Sequence, residues 1–254
     1  MLARAEMLER IRKALGHPAP SGPASATAPA GLAPARLEGI MPPIAAADSL
    51  PTFENEFKKV SGTPYRATTV IEFEQILRKV LADAQAKAVV LTRNPLLGRV
   101  KLPERLRAWG MATEVWPEIS PGSTGTIGAN AYRDQCFAAE VGISGVDFLL
   151  AETGSLVLTS QTEGSQLASL APPVHVALYR REQVLSSLDD VLEHLYISTG
   201  TGSPMPGRSM VFITGTSRTA DIEQILIRGV HGPREVHAIL IEESCLVELG
   251  ATQT

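Results

Sequence analysis

The sequence predicts an α/β fold, three layers built around a mostly parallel sheet. Two observations lead there. Short apolar runs alternate with amphipathic helix patterns through the first half of the globular region, the order that a parallel sheet with helices on its faces requires. The chain is also long enough, at 254 residues with 44% hydrophobic, to bury a substantial core. No internal repeat or heptad pattern argues for a different architecture.

Taken in order, residues 1–16 form a short amphipathic helix, with Met7, Ile11 and Leu15 at four-residue spacing and Leu8 close to the same face. Residues 17–47 are rich in Pro, Ala, Gly and Ser and read as a linker, since such a segment buries too little apolar surface to offset its ordering cost. The α/β domain spans 48–254. SLPTFENEFKKV reads as a helix, YRATTV as a strand, IEFEQILRKVLADAQ as an amphipathic helix and KAVVLT as a short buried strand. PERLRAW and TEVW repeat the helix–strand alternation. PGSTGTIGAN (121–130) reads as a glycine-rich loop and 131–140 as a helix. VDFLLAE and SLVLTS are strands joined by a tight turn at Thr153-Gly154. VHVALYR is a strand, SLDDVLEHL a helix, MVFIT a strand and EVHAILIE the final strand.

Several function classes are disfavoured. A net charge of −4 gives no electrostatic reason to expect nucleic acid or an anionic membrane surface. No stretch approaches the roughly 20 apolar residues of a membrane span, and the N-terminus lacks the apolar block of a secretory signal, so a cytoplasmic protein is expected. The two cysteines, Cys136 and Cys245, are distant in sequence, whereas iron–sulfur clusters and structural zinc need four ligands. The five histidines show no metal-ligand spacing. No metal or cofactor is expected in this chain.

Three polar clusters adjoin apolar runs. In GISGVDFLLAETGSLVL, Glu152 is a candidate nucleophile or base, and Gly154 allows close approach of a ligand or backbone; pairing with an arginine or capping a loop is the other use of such a glutamate. In TGTSRTADIE, a turn at Gly215, Ser217, Arg218 and Thr219 leads into a helical ADIEQIL pattern. Backbone N–H groups, two hydroxyls, a guanidinium and the helix dipole would converge there on a carboxylate or phosphate. Alternatively, Ser217 or Thr219 caps that helix, with Asp221 and Glu223 as first-turn acids. In RGVHGP, His231 either acts as a base or binds a substrate carboxylate, or simply hydrogen-bonds backbone. His175 and His237 lie within strands and read as core residues.

GISGVDFLLAETGSLVL, LAPPVHVAL and TGTSRTADIEQILIRGVHGPREVHAIL together resemble the LUD domain of the lactate utilization protein C family, over about Phe53 to Glu242. Thr216 departs from the family's usual Pro, which should loosen the turn slightly. The resemblance implies a fold similar to the ribose-5-phosphate isomerase and CoA-transferase group. It also implies a part in oxidising L-lactate to pyruvate beside partner subunits that carry the iron–sulfur clusters. By the same resemblance, Glu152 matches that group's catalytic glutamate, and Gly154, Gly215, Ser217, Arg218, Thr219, Asp221 and Glu223 would form a small-acid or phosphate site with Glu152 and His231 on its rim. An independent acyl- or CoA-transferase and a non-catalytic assembly or acid-sensing protein are the alternatives.

Overall fold

The computed structural model describes residues 44–117, 126–199, 209–220, 226–229 and 231–251. The expected N-terminal helix (1–16) and most of the linker lie outside the described residues. The last linker residues do not behave as linker: α1 (Ala46–Lys59) begins two residues before the expected boundary, and Ile44 accepts a 3.1 Å hydrogen bond from Ser186.

The helix–strand alternation is as the sequence predicts. After α1 come β1 (Gly62–Ala67), α2 (Val70–Asp83), β2 (Ala88–Leu91), α3 (Pro95–Arg99), α4 (Leu102–Ala108) and β3 (Ala112–Val115). The local reasons are visible in α2. Thr69 caps it by accepting from Glu72 N at 3.2 Å, Glu72 reaches back to Thr68 N, and Phe73, Leu77, Val80 and Leu81 recur on one buried stripe. α5 (Thr126–Ala138) starts inside the stretch read as a glycine-rich loop, so Thr126–Asn130 are helical. β4 (Val141–Ser144), β5 (Phe148–Leu150), β6 (Ser155–Thr159), α6 (Ser160–Glu163) and β7 (Val174–Tyr179) follow. Then come β8 (Val184–Leu185), α7 (Leu188–Thr199), β9 (Met210–Ile213), β10 (Arg218–Ala220), β11 (Leu226–Arg228), β12 (Glu235–Ile241) and α8 (Glu243–Ala251), a helix beyond the last expected strand.

Six strands form one wholly parallel sheet in the order β1-β12-β7-β4-β2-β3. Side chains alternate across it, as the strand period demands. Ile239 and Ile241 of β12 join Val176, Ile143 and Leu91 under α2, α3, α4 and α8. Val236, Ala238 and Leu240 face Phe53 and Phe57 of α1 and Leu156 and Leu158 of β6, while Tyr132 and Cys136 of α5 cover Val90.

β5, β6 and β9 do not enter the main sheet. With β8 they make a separate four-stranded sheet, order β8-β5-β6-β9, β6 being antiparallel to both neighbours. This small sheet shares the third layer with α1 and α5, and α7 lies on its outer face through Val191. The tight turn expected between β5 and β6 is present.

Candidate functional site

Adjacent strands β2 and β4 send the chain in opposite directions: β2 continues outward to β3, and β4 continues to β7. Such a reversal opens a crevice beyond the carboxyl ends of the strands, where α/β sheets place ligands. Glu163, the last residue of α6, fills the floor of this crevice. It is wholly buried. Thr92 Oγ1, just past β2, donates to its Oε2 at 2.5 Å, Gly145 N, just past β4, donates to the same oxygen at 3.2 Å, and Asn94 Nδ2 donates to Oε1. Burial pushes the Glu163 carboxyl up to about 7, with the charge of Asp147 adding to the rise and the Thr92, Asn94 and Gly145 donors opposing it.

Asp147 is the second carboxyl of this edge. It accepts from Thr159 N at 2.6 Å and lies 2.9 Å from Thr162 Oγ1 through both oxygens. Thr162 is also 3.4 Å from Glu163 Oε1, so one hydroxyl links the two acids. Burial holds Asp147 above the usual carboxylate range, against the pull of these donors. Outside the pair lies a pocket of about 270 Å3 whose polar walls are Asn94, Arg99, Asp147, Thr162, Arg180 and Gln183. Asn94, Asp147 and Arg180 follow the carboxyl ends of β2, β4 and β7. Glu163, Asp147 and this pocket were not among the residues singled out from the sequence. The only local signal is an acid after three polar residues in SQTEG.

The turn residues that were singled out lie at the other end of the sheet. β9 belongs to the small sheet, so the TGTSRT turn that follows it meets the amino ends of β1 and β12 rather than the carboxyl edge. Thr216 N donates to Val60 O at 3.3 Å and Ser217 N to Pro233 O at 2.9 Å; Gly229 N donates to Ser217 O at 3.1 Å. His231 N donates to Ser217 Oγ at 3.3 Å. These turn amides are thus taken up internally. Thr216 tethers the turn where loosening was expected, by a bond that a proline could not make. Gly215 (φ 78°) is required, because a Cβ there would collide with Val60.

Of the ADIEQIL stretch expected as a helix, residues 221–225, Asp221 and Glu223 among them, lie outside the described residues. Its two ends are in strands: Arg218–Ala220 pair antiparallel with Leu226–Arg228, placing Thr219 opposite Ile227. The exposed Arg218 guanidinium contacts Ser61 Oγ just past the end of α1, and Thr216 Oγ1 at 3.5 Å. A cation is favoured near a helix C-terminus.

Ser217 and His231 therefore meet, and Arg218 lies one residue away, but no hydrogen bond or ion pair joins Glu152 to any of them among the described residues. Glu152 instead accepts from Leu188 N at 2.9 Å, at the first turn of α7. Gly154 (φ 64°) lies against α1, where a Cβ would strike the backbone of Glu56 and Phe57. His231 lines a separate pocket of about 420 Å3 with Phe137, Leu170 and Pro173. His175 is a core histidine, its Nε2 2.8 Å from Ser144 Oγ; His237 stacks on Tyr65. Among the described residues no group of three or more His, Cys, Asp or Glu side chains could hold a metal, and no helix is long and apolar enough to cross a membrane.

The parallel sheet, its reversal between β2 and β4 and the polar pocket above it define an α/β protein of the kind that places ligands at strand carboxyl ends. The chain belongs to the LUD domain family, whose profile matches residues 50–241. It is 29% identical over 181 residues to a protein of Halalkalibacterium halodurans named lactate utilization protein C, covering 71% of this chain and 74% of that one. A protein of the same name from Geobacillus thermodenitrificans is 26% identical over 196 residues, covering 77% and 80%. A crystal structure of a DUF162 family protein from Deinococcus radiodurans has the same fold at a TM-score of 0.54 and 20% identity, covering 78% of this chain and 99% of that one.

Proposed function

We propose that this protein serves lactate utilization as the cluster-free component of a system that oxidises L-lactate to pyruvate, with the electrons passing through clusters on partner subunits. The observation that carries the reading is the relation, over most of the α/β domain, to proteins named lactate utilization protein C. The cysteines support its cluster-free half. Cys136 is buried with Tyr132 on the inner side of α5, and Cys245 is buried on the opposite face of the main sheet. They cannot converge on one cluster without unfolding the core.

The alternative is an independent acyl transferase acting through Glu152, whose Oε1 accepts from Leu188 N at the first turn of α7; a covalent step would use its other oxygen. The test is affinity purification of the full chain from its native cells, with identification of co-purifying proteins. Cluster-bearing partners, and lactate-dependent dye reduction by the assembled system but not by this chain alone, support the reading. Dye reduction by the isolated chain, or an acyl-glutamate trapped by hydroxylamine at Glu152, would overturn it.

A further inference from the structure

We propose that the pocket over the β2–β4 crevice binds a small 2-hydroxy monocarboxylate, its carboxylate held by Arg99 and Arg180 and its hydroxyl by Asp147. The inference deepens the lactate-utilization reading and rests on it for the choice of lactate as the probe.

Four features of the pocket point to this chemistry. First, its two cations are available. Arg99, at the end of α3, makes no hydrogen bond or ion pair among the described residues, and Arg180 is paired only with the exposed Glu182, at 2.7 Å. A guanidinium carries five donors in a planar fork that suits a carboxylate.

Second, the acceptor is fixed. Asp147 is held by Thr159 N and Thr162 Oγ1, and an ionised carboxylate accepts a ligand hydroxyl but repels a second carboxylate. The pocket therefore offers cations and an anion to one ligand, which matches a molecule with an acid and an alcohol. It does not match a dianion such as a phosphate ester.

Third, the walls are held from behind. Asn94 caps α3 by accepting from Leu96 N at 2.9 Å and donates one amide hydrogen to buried Glu163, leaving the other for the ligand. Fourth, the cavity is small, about 270 Å3, at the lower end of small-molecule sites. Pro95, Leu96, Val146 and Phe148 complete its lining and would meet the short alkyl end.

Calorimetric titration of the full chain with L-lactate, pyruvate and propionate tests this. Lactate should bind tightest, because only it both donates to Asp147 and presents a carboxylate. Arg99→Ala should weaken lactate and pyruvate alike by about 10-fold or more, with Arg99→Lys recovering part of the loss. Asp147→Asn should weaken lactate more than pyruvate and so compress the preference. Because Asp147 also holds Thr159 and Thr162, its variant is scored on the ratio of the two affinities in folded protein, and exposed Arg99 supplies the arm that leaves the fold intact.

No binding of any of the three acids overturns the proposal, as does binding that Arg99→Ala and Asp147→Asn leave unchanged. Loss of binding in Arg218→Ala, with Arg99→Ala unaffected, would move the site to the amino edge and overturn it too. None of these outcomes touches the assembly reading, which stands or falls on the co-purifying partners.

Discussion

Replacing Glu163 by Gln keeps the side chain's shape and removes its charge, and the structure sets the size of the effect. The carboxyl is moved from about 4.5 to about 7 by burial, and each pKa unit is worth about 1.4 kcal/mol. The folded state keeps this proton to higher pH than the unfolded chain does. Between those two values the native protein binds more protons, so stability falls as pH rises through the window, and the full penalty of about 3 kcal/mol is present above it. The Gln variant has no such penalty. It carries a pH-independent cost instead, about 1–2 kcal/mol, because its NH2 group meets the Asn94 amide donor that the carboxylate accepts. That constant cancels on comparing two pH values. Urea denaturation of both proteins at about pH 5 and about pH 8 should show the variant gaining about 2–3 kcal/mol on the wild type as pH rises. A difference that stays flat within about 0.5 kcal/mol would mean that Glu163 is ionised throughout, and the account of the crevice floor would be wrong.

Two further outcomes follow from the packing. Gly154→Ala forces a positive-φ position and drives a methyl into the backbone of Glu56 and Phe57. It should cost at least about 2 kcal/mol, lowering the melting temperature by about 5 °C or more in a scan against wild type. Cys136 and Cys245 are both inaccessible, and burial pushes both thiols up to about 11. A chromogenic disulfide reagent should therefore find neither thiol in native protein near neutral pH and both in denaturant; rapid native labelling would show that one of them is exposed.

The parallel sheet was legible because each of its elements carries its own signature. In IEFEQILRKVLADAQ, the buried Phe73, Leu77 and Leu81 repeat every four residues, and KAVVLT is apolar where a strand covered on both faces must be. The small sheet was not legible as a separate layer. Both sheets contain wholly buried strands, such as β6 and β7, and hydropathy does not say which sheet a strand joins.

ADIEQILIR has helix-forming residues at helical spacing, but at its described ends, Ala220 and Leu226–Arg228, pairing of β10 with β11 outweighs that weak local preference. Thr126–Asn130 went the other way, with glycines suggesting a loop where α5 has already begun. Of the candidate site, the sequence exposed the polar turns. Their amides go to Val60, Pro233 and each other, contacts that only the fold creates. Glu163 was missed for the same reason: what buries it comes from residues 71 and 69 positions away, Thr92 and Asn94.

Amide chemical-shift mapping of isotope-labelled protein with L-lactate tests the location of the site most directly. The shifts should concentrate on Gly145, Val146, Thr162 and Arg180 around the β2–β4 crevice. They should leave Ser217, Gly229 and Gly232 unmoved at the opposite edge. Saturable shifts confined to those amino-edge residues, or none in either place, would contradict the account.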